Sequence, residues 1–315
     1  MRDLLLLIAR ENGTLRAKDL NQLAIRQGVL VRDGGEPFRP TTIYHYRRIL
    51  ERLGLVVKDE GRFLIRSPED AATLTCGTAI GEPLTNPQRS AFASAVVTNR
   101  DCHEIFFRPL LGAVALPRDI DDFLERAGPA TLSVTRTKGG PPTIRVASQL
   151  EVVESKGEAA VQAIVWGIKL WCTSELNFID ELLSIRGAHQ LLPRRVDEPL
   201  NPEVQARRLF KLFQFTNGWA TQRIEDLLVT AAINWKSPIT NTREVLLWIL
   251  RTYPHAAVAV PTSEQFALNR LPRAQRDIAL RSYLRLPTGQ LVSHIRLHKQ
   301  AELELADGGR AHARS

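Results

Sequence analysis

The chain has 315 residues, 44% apolar and 24% charged, a balance that excludes wholesale disorder or a fibrous repeat and leaves room for two or three domains with cores of their own. Its net charge of +8 and pI near 9.7 point to a polyanionic partner. Three cysteines, Cys76, Cys102 and Cys172, stand without a CxxC pair or a matching His pair, which argues against a disulfide framework and a structural zinc site and fits a reducing compartment.

The charge sits at the ends. Residues 1–67 hold 13 Lys and Arg against 8 Asp and Glu, residues 270–315 hold 9 against 4, and the stretch between is nearly neutral at 20 against 22. Leu4, Leu5 and Ile8 mark one side of a first helix from Met1 to Glu11, and Asn12-Gly13 closes it. The Leu4–Ile8 run is too short for a signal peptide or a membrane span, and no other apolar run reaches spanning length, so a soluble cytoplasmic protein is expected. A second helix, Ala17 to Gln27, turns Leu20, Leu23 and Ala24 inward. Gly28 to Arg39 carries either a turn insertion or a short strand pair around Asp33-Gly34-Gly35.

Pro40, which donates no backbone hydrogen bond, opens a third helix that Thr41 or Thr42 can cap. Ile43, Tyr46, Ile49, Leu50 and Leu53 then recur at three- and four-residue spacing and make one apolar face. The opposite face is assigned Tyr44, His45, Arg47, Arg48 and Arg52, donors suited to groove edges and phosphates. Gly54 ends the helix. Leu55 to Lys58, Asp59-Glu60-Gly61 and Arg62 to Arg66 follow as strand, tight turn and strand.

In the order and length of these elements, residues 1–67 resemble a winged helix-turn-helix DNA-binding domain, over about a fifth of the chain and by pattern rather than by an invariant motif. The resemblance implies duplex DNA as a partner, contacted by Arg39, Thr41, Thr42, Tyr44, His45, Arg47, Arg48, Lys58 and Arg62. Tyr44 and His45, in the first turns of the helix, are placed toward base edges, and Arg47, Arg48 and Lys58 toward phosphates. The bland alternatives are a protein-interaction module or a merely solvated basic face.

Ser67 to Pro87 reads as a linker, and Gln88 to Leu111 as two helices broken at Asn99-Arg100-Asp101. Within them Cys102-His103-Glu104 points three ways and is no cluster. Asp119, Asp121 and Asp122 enrich a helix start, where they complement its dipole. Ala130 to Val153 is extended, with a turn at Gly139 to Pro142 that lacks the Lys-Ser/Thr of a phosphate loop. Glu158 to Leu183 gives a long helical run, a buried helix plus a shorter one from Asn177, with Trp166 and Trp171 as core residues. Gly187 to Pro202 is a polar break taken as a domain boundary. Helices follow over Pro202 to Phe215, Thr221 to Ala232 and Thr242 to Thr252, then a strand over Ala256 to Val260, a basic stretch Phe266 to Arg281, and a hairpin of Tyr283 to Leu286 with Leu291 to Leu297.

The expected fold class is mainly α with small β elements (α+β): a winged helix at 1–67, a mostly helical middle region at 68–196, a helical region with a hairpin at 197–305 that allows a second winged-helix-like unit, and a disordered tail at 306–315. The histidines at 45, 103, 189, 255, 294, 298 and 312 form no catalytic or metal-binding spacing. His294 and His298 share a strand face too far apart for one ion. No catalytic residue, metal or cofactor is assigned. Two functions fit. One is a non-enzymatic double-stranded DNA-binding protein, a bacterial transcriptional regulator whose remainder dimerises or docks partners. The other is a DNA-binding or scaffold subunit of a multiprotein genome-maintenance or anti-phage defence complex.

Overall fold

A computed structural model describes residues 2–11, 13–29, 40–65, 79–135, 143–156, 159–183, 188–195 and 201–312. The chain is mixed α/β and divides into two compact units, one of residues 1–127 with 134–177, the other of 128–133 with 178–315. The division does not follow the expected limits after residues 67 and 196. The reason lies in the packing of the first 65 residues, which share a unit with elements more than a hundred residues further on.

The first unit opens with α1 (Arg2–Arg10), α2 (Ala17–Arg26) and α3 (Pro40–Arg52), then the antiparallel hairpin of β1 (Val56–Asp59) and β2 (Arg62–Ile65). Sequence periodicity marks three of the five residues from Leu4 to Ile8 as inward, yet all five are at most 3% exposed, so α1 is buried all round rather than along a stripe. Pro40 is the first residue of α3, the position where its missing N–H costs nothing, and Thr41 and Thr42 follow it within the first turn. The backbone of Arg16 makes an antiparallel bridge to Arg62, and Phe63 exchanges backbone hydrogen bonds with Leu15 and Gly13, which ties the hairpin to the α1–α2 connection.

The hairpin turn has positive φ at both central residues, Glu60 at 43° and Gly61 at 82°. Gly61 adopts this without strain, but a glutamate does not, and Asn is the residue such turns prefer at that position. Glu60→Asn is therefore expected to raise stability by about 0.5–1 kcal/mol in a urea melt. A melt midpoint unchanged or lowered would contradict the turn assignment.

The same unit continues with α4 (Asn86–Val97), opened by a capping box between Thr85 and Gln88. Then comes α5 (Arg100–Cys102), which runs through a π-helical turn, His103–Phe107, into α6 (Arg108–Leu111), and α7 (Ile120–Arg126) follows. Strand β3 (Ala130–Thr135) carries the chain from one unit to the other. An antiparallel pair, β4 (Thr143–Ala147) and β5 (Val152–Lys156), and α8 (Ala159–Leu170), which ends in a second π-helical turn at Trp171–Glu175, complete the unit. Phe92 of α4 meets the Trp171 ring edge-on, centroids 5.3 Å apart. α3 packs on α8: a Cβ on Gly167 would stand 2.8 Å from Cδ1 of Ile49.

In the second unit, β6 (Ile179–Leu183) and β7 (His189–Pro193) pair antiparallel, and β3 adds to β7 through Ala130 opposite Leu191. Both strands correct the sequence reading, which made Asn177 to Leu183 a short helix and Gly187 to Pro202 a polar break. Ile179, Leu182 and Leu183 are buried together with Glu181, and so short an apolar run carries no period that separates strand from helix. Asp180 and Glu181 still point apart, now because they alternate on a strand. Asp180 accepts the Ile239 N–H at 2.8 Å and lies 3.5 Å from Arg194, while Glu181 bonds His189.

The rest of the second unit is α9 (Pro202–Phe210), β8 (Trp219–Arg223), α10 (Ile224–Trp235), α11 (Ile239–Thr252), β9 (Ala257–Pro261), α12 (Gln265–Asn269), α13 (Arg273–Ala279), β10 (Leu284–Arg285), β11 (Leu291–His298) and α14 (Lys299–His312). β11 is central: Ile295 lies opposite Gln222 of β8 on one side and Ala259 of β9 on the other, and Leu284 of β10 pairs with Val292. The expected terminal hairpin is thus two strands of a four-stranded sheet. β8 replaces the start of the helix expected from Thr221, and α14 runs through residues assigned to a tail. A core of Leu209, Leu228, Val245, Leu246, Ile249 and Ile295 joins the helices to the sheet. Among the described residues no helix is long and apolar enough to cross a membrane.

Candidate nucleic-acid interface

α3 presents two unlike sides. Ile43, Ile49, Leu50 and Leu53 are at most 7% exposed, as their spacing requires. Tyr44, Arg48 and Arg52 are exposed on the other side, flanked by the half-buried His45 and Glu51. Tyr44 is 46% exposed, with its ring edge-on to His45 at 5.7 Å. Arg48 pairs with Glu51 at 2.8 Å, so part of its charge is already answered on the same helix. The carbonyl of Arg52 accepts a 2.6 Å hydrogen bond from Asn99 Nδ2, which anchors the C-terminal end of α3 and leaves the Arg52 side chain at the surface.

Arg47 is the correction. Assigned to the outer face, it is only 7% exposed, because it follows Ile43 by one turn and so falls on the inward side. Its guanidinium lies 4.7 Å from the Phe63 ring centroid of β2 and 5.4 Å from that of Tyr44, and Nη1 reaches the Ala17 carbonyl at 3.5 Å. Burial pulls its pKa below the ordinary guanidinium value, with Glu51 and Tyr44 acting the other way. The residue joins α2, α3 and the hairpin and holds the tyrosine from beneath. Arg47→Ala is expected to cost about 1–2 kcal/mol through lost cation–π contact and stem packing. A chemical melt reads this, and a loss below about 0.3 kcal/mol would place the side chain in solvent after all.

On the hairpin Lys58, Asp59, Glu60 and Arg62 are all exposed. Lys58 stands opposite Phe63 and Asp59 opposite Arg62. The tip therefore carries two cations and two carboxylates, and its positive charge is locally balanced. Arg62 also reaches the Gly13 carbonyl at 3.5 Å. Thr41 and Thr42 are in the first turn of α3, and Arg39 lies outside the described residues. Sequence reasoning overlooked Arg16, which the bridge sets beside Arg62 at the edge of the hairpin. No periodicity could have found it, because a single bridge leaves no pattern.

Other candidates are absorbed by the fold. Cys102 and His103 are buried while Glu104 is exposed and pairs with Arg100 at 3.0 Å. Burial pushes the Cys102 thiol up to about 12 and pulls His103 below its usual value. Asp119 caps α7 through the Asp122 N–H at 2.9 Å, and Asp122 accepts the Arg118 N–H at 2.9 Å and bonds Arg126 at 3.1 Å. Trp171 is 2% exposed and donates Nε1 to Glu175 at 2.7 Å, and Lys169 Nζ sits 4.7 Å over Trp166. His294 and His298 lie on β11, and His294 meets the Ser293 hydroxyl at 2.9 Å. Among the described residues no three His, Cys, Asp or Glu side chains gather closely enough to hold a metal ion. Compared with family models, characterised proteins and solved structures, the chain matches none.

Proposed function

We propose that residues 1–65 act as a winged helix-turn-helix on double-stranded DNA, with α3 in the major groove and the β1–β2 hairpin along the backbone, and that the chain is a non-enzymatic DNA-binding protein of the transcription-regulator kind. The observation that carries the reading is the solvent side of α3. Tyr44, Arg48 and Arg52 are exposed there on a helix whose other side is buried, and Arg47 holds it to the hairpin. Arg48, Arg52, Arg16 and Arg62 are the phosphate-seeking groups, and Tyr44 and His45 the ones nearest base edges. Titrating a random duplex across a salt series tests this. A protein making several phosphate contacts loses roughly three or more orders of magnitude in affinity from low to physiological salt, and a flat profile rules the proposal out.

A second reading, a subunit of a multiprotein assembly, draws on one feature of the first unit. Val114 and Leu150 are 71% and 81% exposed, large apolar side chains offered to solvent. Duplex binding by the purified chain on its own favours the first reading.

A further inference from the structure

Of the described Phe, Tyr and Trp side chains only two are exposed. Tyr44 belongs to α3, and the other is Phe266 of α12, 69% exposed in the second unit. Its surroundings are basic: residues 265–281 carry Arg270, Arg273, Arg276 and Arg281 against a single carboxylate, Asp277. Leu268 and Ala279, 7% and 6% exposed, fix α12 and α13 to a small core with Leu183, Tyr283 and Leu291. Phe266 precedes Leu268 by two residues, about 200° around a helix, and so points away from that core.

Arg270, one turn on from Phe266, lays its guanidinium over the ring, 4.2 Å from the centroid. Arg270 and Arg273 are exposed and Arg276 is half-buried, and among the described residues none of the three pairs with a carboxylate. Glu264, just before the stretch, is taken up by the Tyr283 hydroxyl, which donates to it. Ring and charge are separate observations, since a solvated arginine needs no phenylalanine beside it. Together they supply a stacking surface for bases and cations for the phosphates between them. Stacking needs an open base face, which a duplex hides and a single strand offers. The guanidiniums are donors only and have no acceptor for the extra donor that a ribose 2′-hydroxyl brings, so the deoxy strand fits better. Asn269 and Gln275 are the exposed neighbours, which leaves too little apolar area on this side to enter a bilayer.

We propose that the α12–α13 segment is a binding site for single-stranded DNA, with a base stacked at Phe266 and Arg270 and adjacent phosphates held by Arg273 and Arg276. The site lies within the second unit and does not depend on the duplex reading of residues 1–65.

The test is fluorescence anisotropy of the full chain with labelled oligothymidylate of about fifteen nucleotides, a strand that does not pair with itself. Saturable binding at low salt is expected, with an abasic strand of equal length and charge about tenfold weaker. Oligouridylate should also bind more weakly, and phosphatidylserine vesicles should give no binding that depends on Phe266. Phe266→Ala should weaken oligothymidylate about tenfold while duplex affinity and the melting midpoint stay unchanged, because the side chain is exposed. Phe266→Trp should restore the affinity. The double variant Arg270→Ala/Arg273→Ala should reduce the slope of log affinity against log salt for the single strand by about 1.4. The proposal is overturned if oligothymidylate shows no saturation by about 100 μM at low salt, the weak end of non-specific binding. Equal binding of the abasic strand, oligouridylate binding as tight or tighter, an unaltered affinity in Phe266→Ala, or vesicle binding that this variant abolishes overturns it equally. Loss of duplex binding with oligothymidylate binding retained would remove the reading of residues 1–65 and leave this one standing.

Discussion

Replacing Arg48 and Arg52 together with alanine is expected to weaken binding to any duplex by about ten- to hundredfold at low salt and to reduce the slope of log affinity against log salt by about 2. Both side chains are exposed on the open side of α3, so their loss removes counterion-releasing charge without opening the core. The effect is asymmetric between them. Arg48 already shares its charge with Glu51 at 2.8 Å, and removing it leaves that carboxylate facing the phosphates. Arg47→Ala should instead leave the slope unchanged and act on stability, since its guanidinium is spent on Phe63 and Tyr44. Tyr44→Ala and His45→Ala form a third class, with cognate preference reduced by about 1–3 kcal/mol and random-duplex affinity nearly intact. If the Arg48/Arg52 double variant keeps the parental slope while remaining folded, α3 is not the element that meets DNA.

The second large effect concerns Phe63. It is 1% exposed, sits opposite Lys58 in the hairpin, bonds through its backbone to Leu15 and Gly13, and forms the surface under Arg47. Phe63→Ala should cost about 3–5 kcal/mol, because it opens a cavity and also strips a buried guanidinium of its aromatic face. Phe63→Leu, which refills most of the volume but supplies no π-face, should recover part of that cost and separate the two contributions. A denaturant melt followed by far-ultraviolet circular dichroism gives both values. A loss under about 1 kcal/mol for Phe63→Ala would mean that the hairpin is not packed on the helices.

What the sequence made legible follows from how local each signal is. The inward face of α3 was readable because Ile43, Ile49, Leu50 and Leu53 repeat over several turns, and the hairpin because Asp59-Glu60-Gly61 separates two apolar runs. Arg47 was misplaced because residue type was given more weight than angle: a guanidinium on the inner side looks wrong until an aromatic ring lies beneath it. β6 and β8 were lost for different reasons. Ile179 to Leu183 is buried on both faces and shows no alternation, whereas Trp219 to Arg223, of the same length, runs directly into α10. A pocket of the second unit lined by Glu225, Glu264 and Ser282 could not be found in sequence at all. The two carboxylates come from segments almost forty residues apart, and Ser282 from a third, so only the fold brings them to one pocket.

The contact between Ile49 and Gly167 sets an order of events for a chain made from its N terminus. The α3 flank that meets α8 has no partner until roughly a hundred further residues have left the ribosome, a delay on the order of ten seconds at ordinary translation rates. For that interval an apolar side of the nascent helical module stays uncovered, and a chaperone or a slowly emptied exit tunnel has more to protect here than in a protein whose first domain closes on itself.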